Sequence, residues 1–122
     1  MAVQALSAAI TLLHNPLCSK SRAAKALLVE RGVTFDERLY LERPLDMVEL
    51  TTLRERLGKS PHEWVRKGEN AYKEAGLSAT AREADLLAAM AAHPVLIERP
   101  ILITPTAAVV GRPPEAILAL LD

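Results

Sequence analysis

The sequence predicts an α/β fold, a sheet with helices on both faces, and three observations carry that prediction. An apolar run, a helical stretch and an alternating run follow one another between residues 9 and 41. A middle region, residues 45 to 93, reads as helix. Two more short apolar runs then flank Pro105-Thr106 before a closing helix. The length of 122 residues is that of one domain, 1–122. A chain of this size needs no disulfide or metal to hold it together.

The elements follow in order. "AITLLH", residues 9 to 14, is apolar and is stopped by Asn15-Pro16, as a buried strand ending in a turn would be. "SKSRAAKALLVERG" opens on serines suited to capping and ends at Gly32. Its Ala23, Ala24, Leu27, Leu28 and Arg31 recur at helical spacing, so a helix starts at Cys18. "TFDERLYL", residues 34 to 41, alternates Phe35, Glu37 and Leu39 with Asp36, Arg38 and Tyr40, the pattern of a half-buried strand. Strand, helix and strand in this order make a βαβ unit with parallel strands. Asp46 can cap "MVELTTLRERLG", Ser60-Pro61 opens a short helix "PHEWVRKG", and "NAYKEAGL" and "READLLAAMAAH" supply two more helical segments. "ILIT" and "AAVV", separated by Pro105-Thr106, have hairpin spacing, and "PPEAILALLD" closes as a helix.

Composition narrows the function. Fifteen basic residues balance fifteen acidic ones, which excludes a strongly basic nucleic-acid binder or a polybasic membrane surface. The aromatics, Phe35, Tyr40, Trp64 and Tyr72, are too scattered for a base-stacking platform. The N-terminal "MAVQALSAAITLLH" lacks the basic start of a signal peptide and the length of an anchor. One cysteine excludes a disulfide framework and a cysteine-rich metal site, and it points to a reducing, cytoplasmic setting.

That cysteine, Cys18, lies where the first strand hands over to the first helix. A thiol at a helix N-terminus faces unpaired backbone N–H groups and the positive end of the dipole, both of which favour thiolate. The same N–H groups can cradle an anion. His14 and Arg22 could add positive charge. A small buried thiol also fits a lone cysteine, but the polar neighbours Ser19, Lys20 and Ser21 favour the reactive reading. Ala24 stands where a cysteine phosphatase needs arginine, and Ser21 where a dithiol enzyme needs its second cysteine. Cys18 is therefore a monothiol, and its oxidised form must be resolved from outside the chain.

The stretch His14-Asn15-Pro16-Leu17-Cys18-Ser19-Lys20-Ser21-Arg22 resembles the H-N-P-x-C-x-x-S-R motif of the glutathione- and glutaredoxin-dependent arsenate reductases. The similarity continues through "LYLERPL", "VRKGENAYKEAGL", "HPVLIERPILIT" and "VGRPPEAILALL", from about residue 10 to 121. The chain resembles the short variant: longer members read Cys-Gly-Thr-Ser where Cys18-Ser19-Lys20-Ser21 stands here. The resemblance implies a thioredoxin-like mixed four-stranded sheet with a helical insertion, about residues 45–93, between the second and third strands. It implies that Cys18 is the nucleophile, that Arg66, Arg99 and Arg112 bind the oxyanion, and that His14 helps to lower the thiol pKa. Pro100 takes the place of the cis-proline that faces the cysteine, and Asn15, Ser19, Lys20, Ser21 and Arg22 complete the motif.

Arginine suits this task because a tetrahedral oxyanion needs several charged donors around it. Arg99 and Arg112 each precede a proline, which restricts them to extended backbone. Arg43-Pro44 has the same local form, so the family match and not the spacing singles them out. Arg43, Arg54, Arg56 and Arg82 read as surface charges, His62 and His93 as structural or solvent residues, and Trp64 as core. The implied reaction is arsenate to arsenite, with glutathione as co-substrate, glutaredoxin as reductant, no bound cofactor or metal, and a cytoplasmic monomer. Two other readings remain. Cys18-x-x-Ser21 also resembles monothiol glutaredoxins, so a glutathione-dependent thiol reductase or transferase fits, with the arginines on glutathione carboxylates. A non-catalytic, Spx-like protein-binding module fits as well, although the second cysteine of that redox switch is missing here.

Overall fold

The computed structural model describes residues 10–121. Ala9 and Asp122, at the outer ends of the first expected strand and the last expected helix, lie outside the described residues. Strands β1 (Thr11–Leu13), β2 (Asp36–Arg38), β3 (Ile101–Ile103) and β4 (Ala108–Val110) form a mixed sheet in the order β2-β1-β3-β4. β1 runs parallel to β2 and antiparallel to β3, and β3 pairs antiparallel with β4. Helix α1 (Ser19–Glu30) makes the crossover from β1 to β2. Helices α2 (Met47–Leu57), α3 (Asn70–Glu74) and α4 (Glu83–Ala92) fill the chain between β2 and β3. None of the helices among the described residues is long and apolar enough to cross a membrane.

Period-two alternation sends the central strands' side chains to two separate cores. Leu12 of β1 and Leu102 of β3 pack with Ala24 and Leu28 of α1 and with Ile117. Leu13, Ile101 and Ile103 point the other way, against Leu50 and Leu53 of α2, Leu86 and Met90 of α4, and Trp64. Each fully buried leucine contributes about 1.5–3 kcal/mol, so both helical layers are held by the same two strands. α1 buries a narrower stripe than its spacing suggests: Ser21, Ala24 and Leu28 face inward while Ala23 is exposed. Gly32, at φ 69°, ends the helix by donating to the Val29 carbonyl. α2 starts on a capping box in which Asp46 accepts from the Glu49 N–H and Glu49 accepts from the Asp46 N–H.

Three expected elements differ most, and β1, α3, β3 and β4 are each shorter than the runs that predict them. The strand expected over 34–41 is confined to Asp36–Arg38, because the Leu39 carbonyl accepts the Glu42 and Arg43 amides and turns the chain. The helix expected over 61–68 is a single 3₁₀ turn, Pro61–Glu63. Beyond it Val65 pairs with Ile97, the Arg66 amide donates to Leu96 and the Glu98 amide donates to Trp64. Cross-chain pairing thus replaces the helix, and Arg66 lies on an extended segment. The closing helix is of the 3₁₀ type over Pro114–Leu120.

One polar contact in the interior was not signalled by periodicity. Arg38 and Glu49, both almost fully buried, form a bidentate pair with distances of 2.9 and 3.1 Å. Arg38 also donates from Nε to the Arg43 carbonyl and from Nη2 to the Pro44 carbonyl. The pair ties the end of β2 and the following turn to the start of α2. At the other edge Gly111 donates its amide to the Pro100 carbonyl at 2.8 Å. A Cβ there would lie 2.9 Å from Pro100 Cγ and 3.0 Å from Ile117 Cγ2.

Two stability predictions follow from these contacts. Arg38→Met should destabilise the fold by about 3–5 kcal/mol in urea unfolding, because the Glu49 carboxylate is left buried and unpaired; Arg38→Met combined with Glu49→Leu should recover much of that loss. Gly111→Ala should cost about 1–3 kcal/mol in the same assay, since the rigid Pro100 ring cannot move away cheaply.

Candidate active site

The loop after β1 is built from its own polar residues. The Asn15 side chain accepts the Leu17 amide, and the Cys18 amide donates to the Asn15 carbonyl. Ser21, on the buried face of α1, turns its Oγ back into the loop, 2.8 Å from His14 Nδ1 and accepting the Asn15 amide at 3.0 Å. Arg22 donates from Nη1 to the Pro16 carbonyl. Ser21 and Arg22 therefore clamp the loop on the helix. Ser19 and Lys20 are exposed and present the first amides of α1.

Cys18 is the N-cap residue of α1, in extended conformation and partly exposed. Burial pushes its thiol pKa up, but the Ser21 and Lys20 backbone N–H groups and the Arg99 and Arg112 guanidiniums outweigh it, and the net pKa is lowered. Two independent sources thus favour the thiolate: a helix N-terminus and side chains from distant segments. His14 is almost fully buried, and burial lowers its pKa against the opposing pull of Glu37. Its ring is neutral near pH 7. The geometry gives His14 a contact that orients the loop rather than a positive charge beside the thiol.

The arginines come from three separate segments and meet at one carboxylate. Glu98 Oε1 lies 3.0 Å from Arg99 Nη1, 3.8 Å from Arg112 Nη1 and 4.0 Å from Arg66 Nε. Arg112 also donates to the Arg99 carbonyl, and Arg66 pairs with Glu69 at 2.9 Å. Buried Arg99 Nε has no hydrogen-bond partner among the described residues. The peptide bonds Arg99-Pro100 and Arg112-Pro113 are both cis. A cleft of about 480 Å³ is lined by Arg66, Arg99, Arg112 and Glu98 together with His62 and Lys67. Cys18 stands beside this cleft and not in its lining; Arg99 and Arg112 link the two electrostatically. Arg66 joins through Glu98 and Tyr40.

Glu98 and Tyr40 are the residues that sequence reasoning missed. Tyr40 is buried, and burial pushes its phenol up to about 12 even though Arg99 and Arg66 favour the phenolate; Cys18 and Glu98 act in the same direction as burial. It remains an O–H donor at the edge of the charged cluster. Its position inside "LYLERPL" was the available signal, as was the position of Glu98 next to Arg99. The remaining residues agree with their expected surroundings. Trp64 is core, His62 Nε2 bonds the Ala81 carbonyl, and Arg43 and Arg82 are exposed. Arg54 pairs with Glu83, and Arg56 donates to the Thr104 carbonyl.

Comparison with known proteins identifies relatives of this chain. The ArsC family model matches residues 13–120. An arsenate reductase of Neisseria meningitidis serogroup A is 46% identical over 114 residues, covering 92% of this chain and 97% of its own. An arsenate reductase of Escherichia coli is 37% identical, covering 92% of this chain and 80% of its own. The solved structure of an arsenate reductase from Vibrio cholerae superposes with a TM-score of 0.86 at 40% identity, covering 93% of this chain and 98% of that one. The thioredoxin-like fold, the cysteine at the strand-to-helix junction and these likenesses agree, and the chain belongs to the ArsC family.

Proposed function

We propose that this protein reduces arsenate to arsenite, with the Cys18 thiolate as nucleophile and glutathione and glutaredoxin as the source of electrons. The observation that carries the reading is a thiol whose pKa is lowered jointly by a helix N-terminus and by Arg99 and Arg112, beside a cleft lined with arginines. In this reading the guanidiniums hold the tetrahedral oxyanion and offset its charge, so that an anionic sulfur can approach an anionic substrate. The thiolate attacks arsenic, and one arsenate oxygen leaves as water after protonation, giving a Cys18–S–As(V) ester. The glutathione thiol displaces a second oxygen, again as water. A glutaredoxin thiolate then attacks the glutathione sulfur, forming a mixed disulfide and leaving the S–As electron pair on arsenic, now As(III). Hydrolysis releases arsenite and returns Cys18 as a thiolate.

Glutathione is consumed as co-substrate and no cofactor stays bound; the setting is the reducing cytoplasm and the acting unit a monomer. Leu17, exposed immediately before the thiol, offers an apolar contact for a protein donor such as glutaredoxin. A second reading is favoured by one contact. The cluster already accepts a carboxylate oxygen, that of Glu98, so Arg66, Arg99 and Arg112 could hold glutathione carboxylates in a monothiol reductase or transferase.

Two predictions test these readings, the first separating them and the second testing the thiolate that both require. Protein incubated with arsenate, glutathione and glutaredoxin should release arsenite, and Cys18→Ser should abolish it; release no faster than in that variant would overturn the arsenate reading. Iodoacetamide alkylation of Cys18 followed against pH should have a midpoint below that of a free thiol. Arg99→Ala and Arg112→Ala should each move the midpoint upward, because each removes a positive charge that stabilises the thiolate.

A further inference from the structure

Three guanidiniums drawn to one place repel one another and need a counter-anion. The chain supplies Glu98 where all three meet, and Arg66 is paired besides with Glu69 at 2.9 Å. Glu98 Oε1 accepts the Arg99 amide at 3.2 Å and Arg99 Nη1 at 3.0 Å, and it lies at 3.8 and 4.0 Å from Arg112 and Arg66. The backbone fixes this position, since the Glu98 amide is bonded to Trp64 beside the Val65–Ile97 bridge. The two longer contacts are beyond hydrogen-bond length, so Glu98 gathers Arg66 and Arg112 without saturating them. It also lines the cleft and is about a quarter exposed, at 27%, so a ligand can reach it. Buried Arg99 Nε, a charged donor without a partner among the described residues, marks unfilled acceptor space in the same cluster.

We propose that Glu98 is a specificity-determining residue, an internal carboxylate that holds Arg66, Arg99 and Arg112 together when no substrate is bound and competes with any tetrahedral oxyanion for them. The inference rests on the reading of this cleft as an oxyanion site. An incoming dianion meets two opposed effects: guanidiniums already gathered, and a like charge at their centre. Affinity for free phosphate or sulfate is therefore held down. The nucleophile can discriminate by forming a bond to the substrate anion, whereas an unreactive anion has only the contested arginines. Glu98 acts through the arginines and on substrate binding, and takes no part in proton transfer or bond formation.

The test uses sulfate and phosphate as probes, in the full chain at low ionic strength, reading the protection of Cys18 from iodoacetamide. Glu98→Gln keeps the shape and the acceptor for the Arg99 amide but removes the charge. Its protection constant for both anions should be about tenfold tighter than wild type, the scale of one half-buried like-charge contact. The anion-free alkylation midpoint should move downward, because Arg99 and Arg112 are no longer partly neutralised. If Glu98 only propped the arginines in place, the midpoint would move upward and protection would weaken. Glu98→Asp, which keeps the charge but draws it back by one methylene, should fall between the two and covers the case of a poorly folding Gln variant. Unchanged or weaker protection in Glu98→Gln, or an upward midpoint, overturns the assignment. Absence of protection in both proteins together with no arsenate turnover overturns the oxyanion reading itself, whereas arsenate turnover with no gain in protection overturns the role of Glu98 alone.

Discussion

The antiparallel pairing of β1 with β3 at the centre of the sheet is the constraint on which the site depends. Leu13 faces Ile101, so the segment leaving β1 and the segment entering β3 emerge at the same end of the sheet. The first carries His14 to Cys18 and the second carries Glu98 to Pro100. Ile101 in turn faces Val110, which brings Gly111 and Arg112 to that end. The Val65–Ile97 bridge adds Arg66. A slip of one residue in the central register would send Leu12, Leu13 and their β3 partners to the wrong cores, so the packing that stabilises both faces also fixes the meeting of these segments.

Electrostatics at that end is a balance. Burial opposes a charged thiol, and the first amides of α1 oppose burial; Arg99 and Arg112 then favour the anion further. Guanidinium is suited to this because it stays charged and is weakly hydrated, so partial burial costs it less than it would cost an ammonium group. Tyr40 shows the other resolution of the same conflict: burial outweighs the arginines, and the phenol keeps its proton. Two acids near Arg99 thus shift in opposite directions, because Cys18 faces helix amides and Tyr40 lies in the core.

Much of this architecture was legible in the sequence. The apolar run before Asn15-Pro16, the capped start of α2, the hairpin around Pro105-Thr106 and the thiol at a helix start all have local signatures. What was not legible depends on partners far along the chain. "PHEWVRKG" has helical composition, yet pairing of Val65 with Ile97 overrides it, and that pairing decides where Arg66 lies. Arg38 sits at an alternating strand position that reads as half-exposed, and only Glu49 from the next helix makes its burial tolerable. Glu98 reads as one more surface acid until Arg66 and Arg112 are brought to it. The arginines themselves were identified by family resemblance, since Arg43-Pro44 carries the same local pattern but remains exposed.

The wide separation of Cys18 from Arg99 and Arg112 along the chain has a consequence for the nascent polypeptide. The sulfur and the α1 amides that favour its anion are synthesised together, whereas Arg99 and Arg112 join them only when the last strands dock. Completion of the fold thereby adds the guanidiniums' share to an anion that the helix start already favours.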